Sequence, residues 1–114
     1  MELAYEEIAG KKRAVTLVEI SWNEQIGNVK MKKLNFGENL DLRNECMKLT
    51  VLGGQEKIEL DQKKMSEQSL LRSIVEAPFQ INLESIRSLE PEDGEKLLSA
   101  FNELNNPSIK KKEN

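Results

Sequence analysis

Residues 61–104 decide the fold of this chain and read DQKKMSEQSLLRSIVEAPFQINLESIRSLEPEDGEKLLSAFNEL. Apolar residues recur in this stretch near the helical period, in two sets separated by Pro78. The first set is Met65, Leu70, Leu71, Ile74 and Val75; the second is Leu97, Leu98, Phe101 and Leu104. The pattern predicts two amphipathic helices joined at a corner. The stretch contains no His, no Cys and no glycine-rich phosphate loop, so it is typical of a packing and docking surface rather than a reactive site.

The ends of these helices are marked by local signals. Asp61 is a natural N-cap, and Pro78 disfavours the helical region for the residue before it, so the first helix is expected over 61–77. Asn82 caps a short turn. Pro91 suits the first position of the last helix, expected over 90–104, and the acidic residues after Pro91 face the positive end of its dipole.

The N-terminal half contains a predicted hairpin over residues 13–35. Residues 13–22, RAVTLVEISW, are rich in β-branched side chains, which suit a pleated surface. Residues 23–28, NEQIGN, supply the turn, with Gly27 tolerating a positive φ, and a second extended segment follows. Residues 1–12 have no clear period. Asn35 and Glu38 have the spacing of a capping box, which predicts a helix over 36–48 with Cys46 as a small core residue.

Residues 49–60 allow two interpretations. With Gly53 and Gly54 as a two-residue turn, the flanking residues would form a hairpin in which Leu49 faces Ile58. Alternatively, the preceding helix continues to Leu52 and Gly53 is its left-handed C′ residue. We favour a helix that ends near residues 48–52 and is followed by a loop.

The composition is that of one small globular domain without an evident reactive site. The chain has 114 residues, of which 38% are hydrophobic and 32% are charged. No apolar run approaches the ~20 residues that span a bilayer, and the first residues lack the apolar core of a secretory signal. With no His and a single Cys, we expect no metal, no cofactor and no enzymatic activity.

The charge distribution argues weakly against nucleic acid as the main partner. The formal net charge is −3, although basic residues cluster at 11–13, 30–33 and 110–112. We interpret these clusters mainly as solvated surface, and residues 105–114 as a disordered basic tail. Trp22 near Lys30 and Lys32 offers only a thin version of the aromatic and basic groove that binds single-stranded nucleic acid.

The order of these features resembles the small tail assembly chaperones of long-tailed phages. The likeness is carried by residues 34–38 (LNFGE), 58–61 (IELD), 70–79 (LLRSIVEAPF) and 85–105 (SIRSLEPEDGEKLLSAFNELN), and it extends over about two thirds of the chain. That family has a helix start of similar form, then an Asp-led helix ending in a proline, then a closing helix. Asn35 stands where the family more usually has Thr.

The resemblance implies a non-enzymatic protein that binds the tape-measure protein in the host cytoplasm and is absent from the mature particle. Other tail proteins are further candidate partners. Self-association is compatible with this role. We expect the partner to contact Trp22, Leu97, Leu98, Phe101, Leu104, Lys110, Lys111 and Lys112, although the leucines also suit the protein's own core. The alternatives are a small nucleic-acid-binding or regulatory protein that uses the basic hairpin, and a structural tail or connector subunit.

These inferences predict an α+β fold: an N-terminal β-hairpin packed on a mainly helical body of about three helices, with a flexible C-terminal tail. Residues 13–104 would form the single domain.

Overall fold

The chain has an α+β fold in the computed structural model, which describes residues 4–105. In chain order the elements are β1 (Ala4–Ile8), β2 (Lys11–Trp22), β3 (Gln25–Lys32), α1 (Phe36–Glu45), β4 (Met47–Leu52), β5 (Gln55–Leu60), α2 (Gln62–Ser73), β6 (Ile74–Glu76), α3 (Leu83–Arg87) and α4 (Pro91–Asn105). Strands β1, β2, β3 and β6 form a four-stranded antiparallel sheet in that order, and β4 pairs with β5 separately.

The predicted hairpin over 13–35 is the centre of this larger sheet. The turn between β2 and β3 consists of Asn23 and Glu24, both at positive φ (51° and 65°), as a two-residue type I′ turn requires. The expected turn over 23–28 was therefore too long. Gly27 lies within β3, where its missing side chain leaves room for Pro78.

Residues 1–12, for which no period was evident, contain the whole of β1 and the start of β2. Strand β1 is an edge strand with little burial, so its sequence, AYEEI, carries no strong alternation of apolar and polar residues. It is joined to β2 by Ala9 and Gly10, both at positive φ.

The capping box is confirmed at the start of α1. The Asn35 side chain accepts from the Glu38 backbone N–H at 2.8 Å, and the Glu38 carboxylate accepts from the Asn35 N–H at 3.0 Å. The helix ends at Glu45 rather than at residue 48, because Cys46 leaves helical geometry and its carbonyl accepts from the Asp61 N–H at 2.7 Å.

The end of α2 also differs from the expected residue 77. Asp61 is its N-cap as predicted, but the helix stops at Ser73 and residues 74–76 become β6. The Ser73 hydroxyl donates to the Lys32 carbonyl at 2.7 Å, and β6 pairs with β3. Pairing with a distant strand thus ends the helix before Pro78 does.

Residues 49–60 form a hairpin, so the favoured interpretation of a helix end and loop was wrong. Gly53 and Gly54 have φ of +58° and +83°, and Leu49 pairs with Ile58. Two consecutive glycines at positive φ close a two-residue turn without strain, whereas a helix end needs only one such residue. The glycine pair therefore favours the hairpin over a helix that ends at Gly53.

The core lies between the sheet, α2 and α4. One side of α4 is buried in it, and Cys46 is fully buried there as predicted. The other large, fully buried apolar side chains are Ile20, Val29, Met31, Leu42, Leu97 and Leu104. Helix α4 contacts β2, β3 and α2, so it closes the core.

The predicted tail, residues 105–114, begins at the last residue of α4. Asn105 is the last residue of α4; its side chain accepts from the Leu34 N–H at 3.2 Å and donates to the Phe101 carbonyl at 2.8 Å. The rest of the predicted tail, 106–114, lies outside the described residues. Within residues 4–105, no helix is both long enough and apolar enough to cross a membrane.

The contact between Gly27 and Pro78 yields a prediction for stability. A Cβ at position 27 would lie 3.0 Å from Cγ of Pro78, whereas one at Gly94, in the helical region of α4, meets nothing within 4 Å. Gly27→Ala should lower the free energy of unfolding by about 1–3 kcal/mol through overpacking. Gly94→Ala should raise it by about 0.5–1 kcal/mol through helix propensity. Urea denaturation of both variants checks this, and an unchanged midpoint for Gly27→Ala would contradict the packing argument.

Candidate functional site

The β4–β5 hairpin extends from the core, and its first and last residues are anchored there by a hydrogen bond between the flanking residues Cys46 and Asp61. Cys46, just before β4, is buried, and its carbonyl accepts from the N–H of Asp61, just after β5, at 2.7 Å. Asp61 also caps α2 by accepting from the Lys64 N–H at 3.2 Å. Both ends of the hairpin are therefore held by neighbouring helices.

One face of this hairpin is almost entirely apolar. Because side chains alternate along a strand, the pairs Met47–Leu60, Leu49–Ile58 and Val51–Glu56 place their side chains on one face. We call Met47, Leu49, Val51, Ile58 and Leu60 the apolar face. All of them are exposed: Leu49 by 60%, Val51 by 62% and Ile58 by 70%.

No other element of the described chain packs extensively on this hairpin. Strands β4 and β5 share their main contacts only with each other. An isolated two-stranded hairpin is marginally stable in water, and contiguous exposed apolar side chains typically mark an interaction site. The apolar face is therefore the candidate functional site.

Sequence reasoning did not select these residues, although a signal was present. Met47, Leu49 and Val51 alternate with Lys48 and Thr50, which is the period of a strand. The helix interpretation of this segment concealed the alternation.

The helical residues predicted to contact a partner are in the core instead. Leu97 and Leu104 are 0% and 1% exposed, Phe101 is also buried, and Leu98 packs partly buried against the core. This matches the other interpretation, that the leucines close the protein's own core. At Leu97, which is 0% exposed, no accessible surface remains for the predicted partner contact.

Trp22 occupies a separate position at the far end of the sheet. Its ring lies 4.8 Å from that of Phe79, centroid to centroid, with the planes tilted by 45°. It also lines a polar cleft of about 590 Å³ with Glu24, Glu84 and Glu90. Trp22 belongs to β2, so it lies on a different element from the apolar face of the β4–β5 hairpin. The predicted contacts Lys110, Lys111 and Lys112 lie outside the described residues.

The basic residues at the centre of the sheet are neutralised by carboxylates. Glu38 pairs with Arg13 at 2.6 Å and with Lys32 at 3.3 Å. Lys30 pairs with Glu6 at 2.9 Å and with Glu76 at 3.7 Å. The hydrogen bond from Lys30 to Glu6 raises the pKa of Lys30, so this lysine stays charged while it is paired with the two carboxylates.

Cys46 is the one cysteine of the chain, and its side chain is buried. Burial raises the pKa of the Cys46 thiol, which keeps it protonated and unreactive at neutral pH. Among residues 4–105, no group of three or more His, Cys, Asp or Glu side chains could hold a metal ion.

Comparison of the chain with known protein families, with curated proteins and with solved structures found no significant match.

The Glu38 ion pairs predict how stability changes with pH. Burial of Glu38 opposes ionisation, but hydrogen bonds from the Asn35 N–H, Arg13 and Lys32 outweigh it and hold the pKa below its ordinary value of 4.5. Because the folded-state pKa is lowered, Glu38 stabilises the fold at neutral pH, and this contribution is lost as the pH falls below about 4.5.

Glu38→Gln should therefore be less stable than the parent at pH 7, with the difference shrinking towards pH 3. Urea midpoints across this range check it, with the exposed Glu56→Gln as the matched control. Parallel pH profiles for the parent and Glu38→Gln would contradict the assignment.

Proposed function

We propose that this protein is a non-enzymatic tail assembly chaperone that binds the tape-measure protein, with the apolar face of the β4–β5 hairpin as the contact surface. The observation that carries the proposal is the exposure of the whole apolar face on a hairpin with a fixed base. The sequence resemblance to phage tail assembly chaperones supplies the identity of the partner.

The chemistry of the apolar face suits a long, amphipathic client. Burying an exposed Leu or Ile side chain is worth roughly 1.5–3 kcal/mol, so a few such anchors produce useful but reversible binding. The opposite face carries Lys48, Lys57 and Glu59, and charged side chains of this kind oppose edge-to-edge aggregation of an exposed hairpin. An amphipathic helix of the client would lay its apolar stripe against the hairpin, with polar side chains at the rim.

This role places the protein in the host cytoplasm during tail assembly and not in the finished particle. The nucleic-acid alternative is disfavoured because Arg13, Lys30 and Lys32 already face carboxylates. A structural tail subunit would use the same apolar face, and its presence in purified particles would distinguish it.

The proposal predicts the effect of removing two anchors. Leu49→Ser combined with Ile58→Ser should weaken binding to purified tape-measure segments about 100-fold or more, because two apolar contacts are lost. The matched control is Leu17→Ser with Ile26→Ser, since these side chains are of the same types and similarly exposed, at 61% and 75%, on the four-stranded sheet. Isothermal titration against the same segment measures both.

The control pair should bind as the parent does. If the variant with Leu49→Ser and Ile58→Ser bound with the affinity of the parent, and its circular dichroism were unchanged, the apolar face would be ruled out as the contact. Failure of the parent to bind any tape-measure segment would overturn the proposed client.

A further inference from the structure

A second surface lies where the end of α4 meets the four-stranded sheet. Tyr5 pairs with Ala14, and the Lys33 N–H donates to the Ala14 carbonyl at 2.8 Å, so these three residues form a row across the sheet. Leu34 and Leu104 border this row, and together they line a cleft of about 590 Å³. None of these residues belongs to the β4–β5 hairpin.

The cleft has an apolar floor and an aromatic wall. Ala14, Leu34 and Leu104 are buried and form the floor. Tyr5, by contrast, is 67% exposed, although its neighbour across the strands is buried. An exposed aromatic side chain beside an apolar floor can hold an apolar side chain of a ligand while its hydroxyl stays in water.

The rim of the cleft carries lysines that have no carboxylate partner among residues 4–105. Lys11, Lys12 and Lys33 are exposed and line the cleft, and no ion pair joins them to a described acid. Glu7 is the residue opposite Lys12 across the strands, but no ion pair joins the two. Arg13 also lines the cleft, but it is paired with Glu38. Lys30 and Lys32, elsewhere on this sheet, are paired as well. On the four-stranded sheet and at its border, the lysines without a described carboxylate partner therefore all line the cleft.

We propose that this cleft binds an acidic segment of a partner polypeptide. One apolar side chain of that segment packs on the floor beside Tyr5, and flanking carboxylates face Lys11, Lys12 and Lys33. The inference goes beyond the chaperone role and uses residues separate from the apolar face, so the two can fail independently.

A polypeptide fits the cleft better than a nucleic acid does. Tyr5 is the one aromatic side chain in the cleft, whereas single-stranded nucleic acids usually stack on several. Arg13, the residue best suited to bind phosphate with two hydrogen bonds, is engaged by Glu38. The formal net charge of −3 also opposes a polyanion more than it opposes a short acidic segment.

The test uses the full chain and an array of synthetic 12-residue peptides, each with one central Leu, Ile, Met, Phe or Trp flanked by Glu and Asp. A second array replaces every acid with Lys. We expect the acidic peptides to bind preferentially, with affinity falling as salt rises. Lys12→Glu combined with Lys33→Glu should lower the affinity for the tightest-binding peptide at least about tenfold, since electrostatic repulsion replaces attraction. Tyr5→Ser should weaken it about threefold or more.

The matched control is Lys63→Glu combined with Lys64→Glu, which makes the same charge change at exposed positions of α2. It should change the affinity less than twofold. Absence of any preference for acidic peptides, or equal losses in the two double variants, would overturn the proposal. So would tighter binding of a single-stranded oligonucleotide than of every peptide, or concentration-dependent self-association that the Lys12 and Lys33 changes abolish, because the occupant would then be a nucleic acid or a second copy.

Discussion

The burial of one side of α4 against β2, β3 and α2 is the interaction on which the rest of the structure depends. Leu97 and Leu104 are inaccessible to solvent or nearly so, and Phe101 lies between them on the same buried side. They meet Ile20, Val29 and Met31 from the sheet in one continuous cluster. Because a chain of this size can fill only one modest core, the elements that reach this cluster exhaust the space available for apolar side chains.

The β4–β5 hairpin is the consequence of that limit. Its base is part of the core through Cys46, but its strands extend past the last surface on which they could pack. An exposed apolar face in that position is typical of an interaction surface, and the proposed partner would cover it. The cleft beside Tyr5 differs in character, since it combines an apolar floor with uncompensated lysines. The two surfaces would therefore select different chemistry.

Local signals in the sequence predicted local structure well. Asn35, Asp61 and Asn82 cap the helices expected of them, because each cap depends only on the three residues that follow. The errors arose where distant residues decide. Strand β6 exists because β3 offers a free edge, and residues 49–60 choose strand pairing through their turn. The candidate site was missed because an apolar pattern shows which side chains share a face but not whether that face is covered. Leu97 was predicted to contact a partner and is buried in the core, whereas Leu49 was not selected and is exposed.

Amide hydrogen exchange of residues 47–60, in the free protein and with the tape-measure protein bound, tests the central claim most directly. If the hairpin is uncovered until a client binds, its amides exchange much faster than those of β2 and β3 in the free protein and slow markedly in the complex. Equal protection of the two regions in the free protein, or unchanged exchange of residues 47–60 in the complex, would contradict it.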